Sequence, residues 1–67
     1  MPDDPWLRLA AARRAYAAAV AQRDLLDPRQ PGYREAVHRV GVAWTAVKRW
    51  EREIAKRGTD PPRAAAA

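Results

Sequence analysis

Tyr33, Val37, Val40, Trp44, Val47 and Ile54 recur at steps of three and four residues, with Glu51 as the one interruption. That spacing draws a single apolar seam along one long helix, from Pro31 to about Arg57. A second helical stretch precedes it, from about Pro5 to Leu25, and runs through Trp6, Leu9, Ala12, Tyr16, Ala19 and Val20. A short turn, residues 26–30, separates the two. A connection of that length sets consecutive helices side by side and antiparallel. The expected fold class is therefore all-α: a two-helix antiparallel hairpin over residues 1–58, followed by a disordered Pro/Ala tail over 59–67.

Local chemistry marks the helix ends. Asp3 or Asp4 can accept hydrogen bonds from the unpaired amides of the first turn, and Pro5 suits the first helical position. Asp27-Pro28-Arg29-Gln30-Pro31-Gly32 stops helix one, because each proline disfavours helix before it and lacks an amide donor. Pro31 is expected to open helix two. Lys56 and Arg57 complement the carbonyl end of that helix, and Gly58 supplies a left-handed stop.

A turn centred near Arg29 pairs residues across the hairpin with an index sum of about 57. Val20 is then expected opposite Val37, Tyr16 opposite Val40 and Gly41, Arg13 opposite Trp44, and Trp6 near Trp50 and Glu51. Gly41 makes room for Tyr16 in this register. Glu51 sits within the seam and needs a partner, for which Trp6, Arg13 or an arginine of a second subunit is available.

Size then limits what the hairpin can do alone. At 67 residues the chain lies below the roughly 70 to 80 at which one hydrophobic core becomes self-sufficient. Disulfides and metal sites are the usual supplements, but there is no Cys and a single His. Association with another chain remains. The seam is wider than one alanine-rich helix can cover, and tryptophans at its margin favour an interface. The expectation is a homodimer of hairpins closing into a four-helix bundle, with coiled-coil-like packing, or binding to a larger protein partner. Leu9, Tyr16, Val20, Val37, Val40, Trp44 and Val47 would form its core, with Trp6, Trp50 and Ile54 extending to the interface.

Catalysis is not expected. There is neither Ser nor Cys, the other hydroxyls are Thr45, Thr59, Tyr16 and Tyr33, and His38 is the only imidazole. Glu35 and His38 have a Glu-x-x-His spacing, yet both point about 140° or more from the seam and helix one has no glutamate to complete a metal site. No cofactor and no small-molecule substrate are expected. No apolar run approaches about 18 residues, and arginines interrupt the alanines of helix one, so neither a membrane span nor a signal peptide is expected and the default location is cytoplasmic. Helix two has tryptophan and basic residues on separate faces, but helix one competes for the apolar face and argues against membrane binding.

The charge balance raises one alternative. Thirteen Lys and Arg against eight Asp and Glu give a formal +5. Arg34, His38, Lys48, Arg49, Arg52 and Lys56 gather on the face opposite the seam, within about 100° of arc. Such a stripe either solubilises the bundle or lies along the phosphates of a nucleic acid, with Arg34, Lys48, Arg49, Arg52 and Lys56 as the contacts. The hairpin plan with a basic outer face resembles the small RNA-binding dimeric bundles encoded on plasmids, in architecture alone and with no residue motif in common. The run from Leu9 to Tyr16 is also similar to the first helix of phage head-tail joining proteins. That family has a β-hairpin between its helices, whereas the stretch from Pro28 to Val47 lacks strand alternation.

Overall fold

In a computed structural model, which describes residues 4–58 and 60, the chain is two α-helices packed against each other, with no strand among the described residues. Helix α1 spans Pro5–Asp24 and α2 spans Tyr33–Arg57. Tyr16 of α1 meets Trp44 of α2, while Leu9, near the start of α1, packs in one cluster with Ile54, near the end of α2. The helices are therefore antiparallel.

Each helix end follows from short-range chemistry. The Asp4 carboxylate accepts from the Trp6 amide at 2.9 Å, and Pro5 opens α1 where its missing amide costs no helical bond. Asp3, the other candidate cap, and all of the tail 59–67 except Asp60 lie outside the described residues. Helix α2 closes on Gly58 at φ 63°, whose N–H donates to the Ile54 carbonyl at 2.9 Å. A left-handed residue there costs least when it has no Cβ.

Residues 25–32 make a longer connection than residues 26–30 alone. Asp27 and Gln30 bind across it: the Asp27 amide donates to Gln30 Oε1 at 2.7 Å, and the Gln30 amide donates to the Asp27 carbonyl at 2.9 Å. Asp27 Oδ1 accepts from the Arg29 amide as well, so the segment is a hydrogen-bonded turn rather than slack chain. Pro31 falls within that turn. Helix α2 begins at Tyr33, two residues later than the proline rule suggests, because Gly32 takes φ 91° and reverses the chain immediately before it. A side chain rarely tolerates that conformation.

The core is small and lies towards the chain ends. Leu9, Ala12, Val47 and Ile54 form one buried cluster, with Trp6, Tyr16, Ala46 and Trp50 packed partly against it. Ala36 is the only other buried apolar side chain among the described residues besides Pro5. The face that α2 turns to α1 is thus Ala36, Ala43, Val47, Trp50 and Ile54. At 100° per residue this lies about 70° around the helix from the centre of the row Tyr33, Val37, Val40, Trp44 and Val47. Alanine at the contact lets two backbones approach more closely than a row of valine and tryptophan does, so the closer fit wins.

The rotation changes the partners. Tyr16 packs on Trp44, with ring centroids 5.3 Å apart and planes tilted by 47°, in place of the expected Val40 and Gly41. Arg13, one of the candidate partners of Glu51, pairs with it at 3.6 Å. Gly41 plays no part in packing, for a Cβ built there would meet nothing within 4 Å.

Candidate interaction surface

With α2 turned in this way, part of its apolar row is left on one flank of the hairpin. Val37 is 43% exposed and Trp44 45% exposed, whereas Val20, Tyr33 and Val40 are half-buried. Of the ten residues that the sequence groups as one self-association and core set, the structure divides the roles. Leu9, Val47 and Ile54 are core. Trp6, Tyr16 and Trp50 pack around it, and Val20, Val37, Val40 and Trp44 are open to solvent to differing degrees.

Trp44 is the centre of this flank. Tyr16 supports one side of its indole, and the Lys48 ammonium sits 4.7 Å from the ring centroid. Lys48 Nζ also lies 3.4 Å from Glu51 Oε1, and Arg13 Nη2 lies 3.6 Å from Glu51 Oε2. Glu51, the acidic interruption of the seam, therefore reaches the edge of the flank and is held between two cations. Both pairs are well exposed, so each contributes at most about 1 kcal/mol to the isolated fold. Their placement matters more than their strength. A tryptophan framed by charged side chains is the usual anatomy of a contact surface, with an apolar centre and a polar rim.

The opposite flank is built differently. Ala15, Ala18, Ala19, Ala43 and Ala46, with Gln22, Arg39 and Val42, line an open groove of about 540 Å³. Val42 is 57% exposed at its margin. Sequence reasoning passed over Val42, although Arg39, Val42 and Ala46 recur at three- and four-residue steps opposite the alanines of α1.

The basic residues occupy the outer face of α2. Arg34, His38, Lys48, Arg49, Arg52 and Lys56 are all exposed. Lys48 is drawn towards Trp44 and Glu51, and the Arg49 guanidinium lies over Trp50 with 5.5 Å to the ring centroid. Glu35 and Glu53 are held by Arg39 and Arg57, each one turn away, at 3.0 and 2.9 Å. Glu35 is thus engaged in a surface ion pair. Among the described residues no group of three or more His, Cys, Asp or Glu comes together as a metal site, and no helix is long and apolar enough to cross a membrane.

Fold and surface together define a class: a small two-helix hairpin with a thin core, one aromatic flank and one basic face. Comparison with family models, with curated proteins and with solved structures returns no match.

Proposed function

We propose that the chain is a non-enzymatic assembly protein whose hairpins self-associate through the flank bearing Tyr33, Val37, Val40 and Trp44. The observation that carries this reading is that Trp44 and Val37 remain exposed while the buried core contains only two leucine-sized side chains, Leu9 and Ile54, among its described residues. A hairpin this thin gains stability by covering that flank, and a second copy offers the same surface. A twofold arrangement brings Trp44 near its own symmetry mate, buries both indoles and closes a four-helix bundle. Arg13 and Lys48 then stand at the rim, where they can pair with Glu51 of their own chain or of the partner. The alternative partner, a larger unlike protein, meets the same flank.

Sedimentation of the purified chain and two variants tests the reading. The parent is expected above the 7.5 kDa of one chain at micromolar concentration, and Val37→Ala with Trp44→Ala shifts it to that mass. Val42→Ala, on the other flank, leaves the parent mass unchanged. A parent that sediments at 7.5 kDa contradicts self-association, and a poorly helical monomer points to the unlike partner instead.

A further inference from the structure

The outer face of α2 has its own organisation, independent of the apolar flank. Among the described residues, Arg34, Arg49, Arg52 and Lys56 make no ion pair, although the helix carries Glu35, Glu51 and Glu53. Those three carboxylates are each engaged by Arg39, by Arg13 and Lys48, or by Arg57. The flanking cations neutralise the acids, and the outward ones keep their full charge. Thr45, Arg49, Arg52 and Lys56, with Glu53 at the side, line a shallow depression of about 470 Å³. The Arg49 guanidinium lies over the Trp50 ring, 5.5 Å from its centroid, a contact that engages no carboxylate.

Gly41 lies on this same face, between Arg34 and Arg49. A glycine inside a helix costs about 1 kcal/mol relative to alanine, and no neighbour within 4 Å requires it. Its position bares the backbone at the middle of the stripe. From Arg34 to Lys56 the face runs 22 residues, or about 33 Å at 1.5 Å per residue, close to one turn of a nucleic-acid duplex at about 34 Å.

We infer that this face binds the sugar–phosphate backbone of a duplex nucleic acid, through Arg34, Arg49, Arg52 and Lys56, without reading base sequence. Unpaired cations match a polyanion, and the face carries no Asn, Gln or Ser to read base edges beside its arginines. An anionic membrane fits less well, because an interfacial helix inserts a continuous apolar face, and α1 buries Val47 and Ile54 of α2 and leaves mainly the short flank of Val37 and Trp44 for insertion. The inference does not depend on self-association. A chain that is monomeric and still binds duplex leaves it intact.

Fluorescence anisotropy with a labelled 20-base-pair DNA duplex, and separately an RNA duplex, tests it at 50 and 200 mM salt. Four phosphate contacts predict an affinity loss of about 150-fold between those salts on DNA, from a slope of about −0.9 per contact. Arg49→Ala with Arg52→Ala and Lys56→Ala should make that slope shallower by about three units, with circular dichroism confirming retained helix. Arg39→Ala with Arg57→Ala removes cations already paired to glutamate and should leave the slope nearly unchanged. The charge-retaining Arg49→Lys with Arg52→Lys should keep it too. Absence of binding to either duplex at 50 mM salt, an equal loss in both alanine variants, or binding to phosphatidylserine vesicles while duplex is ignored would overturn the inference.

Discussion

The two halves of the hairpin are packed to different depths. Near the chain ends, Leu9 is 2% exposed and Ala12, Val47 and Ile54 are buried around it. Near the turn, Ala36 is the one buried apolar side chain, Val37 is exposed and Leu25 is 84% exposed. Both halves are built from the same two helices. What differs is where large side chains fall around the helix axes. In the terminal half, Leu9 and Ile54 point between the helices while Leu7 faces solvent. In the turn half, alanines face inward and the larger residues lie to the sides. Hydrogen bonds of Asp27 and Gln30 hold the turn together locally without adding apolar burial. The turn half is therefore where an isolated hairpin opens first and where a partner has most to add.

Substitution of matched leucines gives the largest expected contrast. Leu9→Ala removes a fully buried side chain and should cost about 2 to 5 kcal/mol, enough to abolish a cooperative melt in so small a protein. Leu25→Ala should change stability by no more than about 0.5 kcal/mol, read by the same urea titration. Equal costs would mean that the turn half is packed as deeply as the terminal half. At the turn itself, Gly32→Ala forces a Cβ into φ 91° and should cost about 1 to 2 kcal/mol although nothing crowds the site. One substitution has the opposite sign. Gly41→Ala should stabilise the hairpin by about 0.5 to 1 kcal/mol in thermal unfolding, because the glycine is exposed and its Cβ would meet no neighbour. A destabilised Gly41→Ala would mean that this face is covered in solution.

Much of the fold can be read from local signals. Asp4 with Pro5 and Gly58 mark helix ends through interactions within a few residues, and the structure places them there. The opposed basic face follows from angular arithmetic alone, which requires no knowledge of packing. The rotation of α2 is less accessible. Hydrophobic spacing weighs Val37 and Trp44 above Ala36 and Ala43, whereas helix packing rewards whichever residues permit closest approach. Gly41 illustrates the same gap: mid-helix glycine beside Tyr16 in a schematic register suggests accommodation, yet the aromatic ring is taken up by Trp44. The start of α2 depends on the left-handed Gly32 rather than on Pro31, because a reversed φ one residue before the helix overrides a residue that merely suits its first turn. For Glu51, the need of a partner and Arg13 as one candidate are both legible in the sequence, whereas Lys48 is not singled out there. Which cations meet it depends on register, and the structure supplies Arg13 and Lys48.

We propose that another copy of the chain completes the exposed Trp44 flank. A dilution series of the purified protein, followed by far-ultraviolet circular dichroism with light scattering on the same samples, addresses it most directly. Mass and helicity should fall together as the protein is diluted, with a melting temperature that depends on concentration. A 7.5 kDa particle with an undiminished, concentration-independent cooperative melt would contradict the account.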